Sequence, residues 1–264
     1  MVRQPISLTP EDVSVLINCS LHYHFLQQKL ALPADLTSQT IMDERVRKVI
    51  HRLHAAGGPA RISLDECLKG VRRNPAIQKM ITHYYQRLEQ DWPRVIAGNE
   101  TMTLRISIAG VSLILRATVD RLDRTRDGGI LAILFRAQQT PPSTADELRH
   151  DPAMTIYHAL VASTYPLKRP VRIQELWLYH NEEVTIELSE DEYRHNLGRL
   201  REPVQGLARS EVMARPGLYC DVCPFKHAGC PVYAPSGDEE TEPDDLVSSY
   251  PDGKMSPRRW IFKI

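Results

Sequence analysis

The sequence is short of cysteine, short of aromatic residues and without any excess of charge. In 264 residues, Lys and Arg number 33 and Asp and Glu number 33, so the formal net charge is zero. No global basic field draws in a polyanion, and only a local basic groove could do so. Long apolar runs are missing too. The longest stretches free of Asp, Glu, Lys and Arg, residues 13–28 and 152–167, are too short to span a bilayer and are broken by His22, His24 and His158. The opening MVRQPISLTPED has no apolar signal core, so a cytoplasmic protein with no membrane partner is expected. With 42% hydrophobic and 25% charged residues, the chain has the composition of a folded globular protein. The five cysteines are an odd number without a secretory signal, which argues against a disulfide framework.

What cysteine there is lies concentrated. Cys220, Cys223 and Cys230 form a C-x2-C-x6-C run, CDVCPFKHAGC, with Pro224, Gly229 and Pro231 marking a turn-rich loop. Three thiols in eleven residues are the ligand set of a soft metal centre; the plainer reading is three small buried hydrophobes. Zinc would take Cys220, Cys223, His227 and Cys230, at a spacing tighter than is usual for a structural zinc site. An iron–sulfur cluster needs four thiolates, the fourth from Cys19 or Cys67. Cys67 lies in the amphipathic stretch ISLDECLKGV and reads as core, whereas Cys19 falls where one helix ends and another begins.

Along the chain, Thr9-Pro10-Glu11-Asp12 supplies an N-cap, a Pro at the first helical position and first-turn acids. Apolar spacing predicts helices over 38–55, 64–71 and 75–96. Alternation and apolar runs predict strands over 101–108, 112–119 and 130–135, joined by turns at 109–111 and 126–129. A helix over 144–163, strands over 171–179 and 183–188 and a helix over 190–210 complete the pattern. From residue 235 the acids cluster and apolar residues thin out, as in a flexible tail. It ends in RRWIFKI, a strand that docks back or a partner-binding motif. Two parts are expected: a domain over 1–234 and a tail over 235–264.

Helices followed by hairpins, with SVLINCSLHYHF near one end and CDVCPFKHAGC near the other, resemble the RecB-like PD-(D/E)XK nucleases. The similarity is to the iron–sulfur nuclease domains of AddB-type proteins and to CRISPR-adaptation exonucleases. It implies an α/β fold, a central mixed β-sheet flanked by helices, with a C-terminal iron–sulfur loop. It also implies a [4Fe–4S] cluster on Cys19, Cys220, Cys223 and Cys230. As a structural tie, such a cluster closes a loop of about two hundred residues, on the order of 5 kcal/mol by analogy with a disulfide.

Carried over motif by motif, the family's early histidine matches His51 in VIHRLH, and its GxxDRxD motif matches ATVDRLD, with Asp120 in place and Ala117 for the usual glycine. At the strand end that normally reads hhDYK, Leu134 stands for the second carboxylate and Arg136 for the lysine. The QxxxY motif survives as Tyr157, with Ala153 for the glutamine. A hard, oxygen-rich site is needed for Mg²⁺ or Mn²⁺, and Leu supplies no ligand. Losing about 4 kcal/mol of transition-state stabilisation already means about a thousandfold in rate. The resemblance therefore implies a degenerate site of His51, Asp120 and Arg136, with Mg or Mn only if the site works. Asp123, Glu147 or Glu175 would have to move in to rescue it, Glu175 first.

The functional expectation is a non-catalytic, DNA-associated scaffold or DNA-end-binding subunit in repair, recombination or defence, with a helicase or nuclease subunit as partner. Arg45, Arg47, Lys48 and Arg52 are candidate phosphate contacts near the old cleft; the plainer reading is a solvated helix face. Asp120 and Asp123 equally read as hairpin-end charges paired with arginine, and His51 as a hydrogen-bonded helix residue. The rival functions are an active metal-dependent exonuclease with a rearranged site and a protein-interaction module acting through the tail.

Overall fold

Thr9 closes a short strand, β1 (Ile6–Leu8), and opens helix α1 (Pro10–Asn18). Its hydroxyl accepts the Asp12 N–H at 3.1 Å while the Asp12 carboxylate accepts the Thr9 N–H at 2.9 Å, which satisfies two donors a helix start leaves orphaned. Cys19 ends α1 and caps α2 (Ser20–Gln27), its sulfur accepting the His22 N–H at 3.4 Å. Helix α3 (Ala34–Ala55) is stopped by Gly57 and Gly58, at φ 90° and 84°. Helix α4 (Leu64–Leu68) follows the cap Ser63, and α5 (Pro75–Gln90) follows the cap Asn74. This computed structural model describes residues 4–28, 34–227, 230–233 and 260–263, with the backbone alone for 34–40 and 260–263.

The helix expected to reach residue 96 ends at Gln90, and strand β2 (Val95–Ile108) begins instead. Pro93 has no N–H to donate and pushes Trp92 toward extended backbone, so the helix cannot run on. A two-residue turn joins β2 to β3 (Val111–Arg124): Ala109 and Gly110 both have positive φ, 51° and 78°, as the hairpin's twist demands. Strand β4 (Ile130–Arg136) follows. The helix expected over 144–163 is two, α6 (Ala145–His150) and α7 (Pro152–Thr164), because Pro152 forces Asp151 into extended backbone. Strands β5 (Val171–Trp177) and β6 (Glu182–Ile186) come next. The helix expected over 190–210 is also two, α8 (Glu190–Arg199) and α9 (Arg201–Ala208). Pro203 has no N–H for the Arg199 carbonyl, where α8 stops. Strand β7 (Glu211–Ala214) and strand β8 (Trp260–Lys263) complete the elements.

Six strands make one mixed sheet in the order β1-β3-β4-β5-β6, with β2 along the other side of β3. β1 and β3 run parallel, as do β4 and β5; the remaining pairs are antiparallel. Long β3 serves β1 with its first half, at 113–115, and β4 with its second, at 121–124. The fold is thus α/β with a central mixed sheet flanked by helices. Helices α3, α4 and α5 bury Val46, Ile50, Leu53, Cys67, Ile77 and Ile81 in one core with Ile133, Phe135 and Leu176 of the sheet. Helix α7 is apolar nearly all round, burying Met154, Ile156, Leu160 and Val161, and packs against β2, β3 and β5.

The chain divides into two compact units, residues 1–14 with 33–201 and residues 15–32 with 202–264. The first holds the six-stranded sheet. The second holds α2, α9 and the β7–β8 pair, in which 211–214 run antiparallel to 260–263. Its small core gathers Cys19, Leu21, Val212 and Ala214. The C-terminal WIFK backbone is therefore paired as a strand, while the rest of the expected tail lies outside the described residues. Among the described residues no helix is long and apolar enough to cross a membrane.

Candidate functional site

In the first unit, polar side chains converge where β3 and β4 part. The ladder between them stops at Arg121 opposite Ile133, and the next free N–H, that of Phe135, donates to Asp120 Oδ2 at 2.8 Å. The other carboxylate oxygen faces two groups from α3: Arg47 Nε at 3.1 Å and His51 Nε2 at 3.5 Å. Asp120 itself is buried. Arg47 also donates to the Phe135 carbonyl at 2.9 Å, and Asp43, one turn earlier, accepts the Ala137 N–H at 3.1 Å. Burial pushes the Asp43 carboxyl up, with Arg47 opposing. Asp43, Arg47 and His51 thus form an i, i+4, i+8 stripe that clamps the end of β4 to α3.

Arg136 follows on β4 and is paired with Glu175 of β5, through Nη2 at 2.6 Å and Nε at 2.7 Å, both to Oε1. Burial favours the neutral guanidine, but Glu175 outweighs it and keeps Arg136 charged. The second oxygen of Glu175 is buried without a hydrogen-bond partner among the described residues. Leu134, one position before Arg136 in its alternation, is the register partner of Glu175 and is buried at 1% exposure. Tyr157 of α7 donates to Glu11 Oε1 at 3.1 Å, and burial beside that carboxylate raises its phenol. Asp120, Leu134, Arg136, Tyr157, Glu11 and Arg47 line one open cavity of about 610 Å³.

His51 thus lies against Asp120, and Asp120 and Arg136 line the same cavity. Of the three other carboxylates considered for this site, Glu147 caps α6 through Thr144 and Asp123 is paired with Arg121 at 2.7 Å, whereas Glu175 stands opposite Leu134, held by Arg136. The Asp123–Arg121 pair belongs to a separate buried network in which Arg121 donates to the Tyr84 hydroxyl, itself 2.6 Å from His54 Nε2. Asp43 and Glu11 were not singled out in the sequence; the signal for Asp43 was its polar stripe, and Glu11 had none beyond a helix start. Of the four basic candidates only Arg47 reaches this cavity. Arg45, Lys48 and Arg52 line a different one.

In the second unit, Cys19, Cys220, Cys223 and Cys230 line one small cavity with Leu21, Phe25, Phe225 and Val232. All are free thiols. The turn Leu218–Val222 brings the Gly217 N–H to Cys220 Sγ at 3.4 Å, and Cys223 Sγ lies 3.9 Å from His22 Nδ1. Burial and the neighbouring thiols push the Cys223 thiol up, and burial beside Cys220 and Cys230 pushes the Tyr233 phenol up to about 12. His227 is exposed and outside the lining, and Cys67 is wholly buried in the core of the first unit.

The family model of the PD-(D/E)XK nuclease superfamily matches residues 7–231. The chain belongs to that superfamily. A Eubacterium rectale protein provisionally named an exonuclease has a similar fold, with TM-score 0.53 at 13% identity over 92% of this chain and 94% of its own. A crystal structure of SSO0001 aligns at TM-score 0.45 and 14% identity, over 89% and 90% of the two chains. No curated protein sequence matches.

A PD-(D/E)XK nuclease holds a divalent ion on clustered carboxylates, and the residues here do not make that site as they stand. Leu134 offers no oxygen, Asp120 faces a guanidinium, and Glu175 is held by Arg136. Among the described residues, no three His, Cys, Asp or Glu side chains group closely enough for one ion. The cysteine cavity is a different case. Four thiols in an apolar lining suit a soft centre, and in a [4Fe–4S] cluster each thiolate takes its own iron, so the sulfurs stand wider apart than around a single ion.

Proposed function

We propose that this protein is a RecB-like, iron–sulfur member of the PD-(D/E)XK superfamily that has lost its nuclease chemistry. It works as a DNA-end-binding or scaffold subunit in DNA repair, recombination or defence, in the cytoplasm, alongside a helicase or nuclease subunit. The observation that carries this reading is the salt-bridged remnant: the Arg47 guanidinium lies against the surviving Asp120, and Leu134 fills the second carboxylate's place. Arg136 keeps the lysine's charge, but as a planar fork locked on Glu175 it cannot act as a compact, deprotonatable ammonium.

Cys19, Cys220, Cys223 and Cys230 would hold the [4Fe–4S] cluster, which when bound cross-links α2 to the 220–230 loop. Support comes from their shared apolar cavity and from the placement of Cys67 elsewhere. Cys19 contributes from the cap of α2, where its sulfur is already turned toward the loop strand, 3.6 Å from the Met213 carbonyl.

The test is a DNA degradation assay with Mg²⁺ and Mn²⁺ on anaerobically purified, folded protein beside Asp120→Ala. No degradation, with salt-dependent retention of DNA ends, is the expected result. A second reading, an active exonuclease with a rebuilt site, rests on the unpartnered Oε2 of Glu175 beside Leu134. Metal-dependent degradation lost in both Asp120→Ala and Glu175→Gln would establish it.

A further inference from the structure

Helix α3 carries cations on two sides. Arg47 points into the Asp120 site, whereas Arg45, Lys48 and Arg52 line a separate cavity of about 880 Å³. The opposite wall is the turn between α4 and α5, which brings Lys69, Arg72 and Arg73. Among the described residues no carboxylate lines this hollow, and Val49, Val71 and Ile77 form its apolar floor. Among the described residues, none of these six cations has a carboxylate partner, while Arg47, Arg121 and Arg136 each do. Arg52 is fixed in place instead by donating to the carbonyls of Glu66 at 3.1 Å and Cys67 at 2.9 Å, so its charge remains uncompensated. Like charges facing one hollow repel, and an anion between them relieves the repulsion. In a chain of zero net charge this concentration is local.

The lining also says what kind of anion fits. It has no aromatic ring to stack a base and no carboxylate to accept from a base amine or ribose hydroxyl, and the Asn74 side-chain oxygen is taken by the Ile77 N–H at 3.1 Å, leaving its amide N–H as a further donor. Arg45 to Arg52 spans about 10 Å of helix, long enough for consecutive phosphates. We infer that this cavity is a sequence-independent site for the phosphate backbone of a nucleic-acid strand, on a different side of α3 from the nuclease remnant. The inference rests on the DNA-associated reading above and locates its contact.

The experiment is fluorescence anisotropy with a labelled single-stranded DNA, the same sequence as RNA, and a polyglutamate peptide, each through a salt series. Engagement of about five phosphates gives a slope of about −3.5 in log affinity against log salt. The pairs Arg45→Gln/Lys48→Gln and Arg72→Gln/Arg73→Gln each flatten that slope by about 1.4 and weaken low-salt binding at least tenfold, with unchanged melting. The control Lys168→Gln/Arg194→Gln, equal in charge removed but outside the cavity, keeps the wild-type slope. DNA and RNA bind alike, since nothing in the lining reads a 2′-hydroxyl. Cavity variants that bind like wild type overturn this site and leave the DNA-associated reading standing. Absence of binding by the wild type at low salt overturns both. A peptide bound as tightly as the strands, or a marked preference for RNA or DNA, overturns the backbone assignment.

Discussion

Glu175 stands opposite Leu134 across the parallel pairing of β4 and β5, and its carboxylate is held by Arg136 two positions along. A carboxylate therefore stands beside Leu134, with its charge compensated by Arg136. Two side chains, Leu134 and Arg136, thus separate this arrangement from a cluster of carboxylates around Asp120. Leu134→Asp alone buries an unpaired charge at a position 1% exposed and should destabilise by about 3–5 kcal/mol. Combined with Arg136→Lys, the new carboxylate joins Asp120 and Glu175, and millimolar Mn²⁺ should raise the melting temperature of the double variant while leaving wild type unmoved. Thermal melts with and without the ion decide this; equal shifts for both proteins would show that the remnant already binds metal.

Asp120 holds the fold together at the end of β4. Its Oδ2 takes the Phe135 N–H beyond the end of the β3–β4 ladder, and its charge compensates Arg47. Asp120→Ala leaves a buried N–H and a half-buried guanidinium unpaired, at a cost of about 2–3 kcal/mol. Asp120→Asn keeps an acceptor for Phe135 and should lose clearly less. Denaturant midpoints of the two variants measure the difference.

The sequence made this site legible where its motifs are local. ATVDRLD and VIHRLH each name one residue of the site, Asp120 and His51, which lie 3.5 Å apart. Cys19 and the 220–230 run, two hundred residues apart, line one cavity through the packing of α2 and β7, which local caps and turns do not encode. Helix interruptions were harder. Pro152 and Pro203 each sit inside a window whose apolar spacing continues across them, so periodicity joined four helices into two. β1 and β7, of three and four residues, are too short for alternation to register, although β1 completes one side of β3. Helical spacing separates Arg45, Lys48 and Arg52 from Arg47 on α3, but which cavity each side meets depends on what packs there.

The Tyr84 network ties stability to pH. Burial, helped by Arg121 and His51, lowers the His54 pKa to about 3 from an ordinary 6.5, so the folded protein keeps this imidazole neutral. Between pH 6.5 and 3 the unfolded chain binds a proton there that the native state refuses, and stability rises with pH across that window. The slope from this one group is at most about 1.4 kcal/mol per pH unit. His54→Gln keeps a hydrogen-bonding side chain near Tyr84 but cannot titrate, so its urea-denaturation stability should fall less steeply between pH 6 and pH 4 than that of wild type. Parallel profiles for the two would show that His54 takes no part.

Cysteine substitutions separate ligands from bystanders. Cys19, Cys220, Cys223 and Cys230 line the cavity in the second unit, while Cys67 lies fully buried among Val49, Ile50 and Ile77 in the first. Anaerobically purified wild type should be brown, with about four irons and matching acid-labile sulfide. Cys19→Ser or Cys223→Ser should lose most of that iron and, with it, protection of the 220–230 loop from proteolysis. Cys67→Ser places a hydroxyl in an apolar core, costing about 1–3 kcal/mol while leaving iron content unchanged. Stoichiometric zinc without labile sulfide would assign the same four thiols to a single tetrahedral ion. Iron lost equally from Cys67→Ser would move the centre out of the second unit altogether.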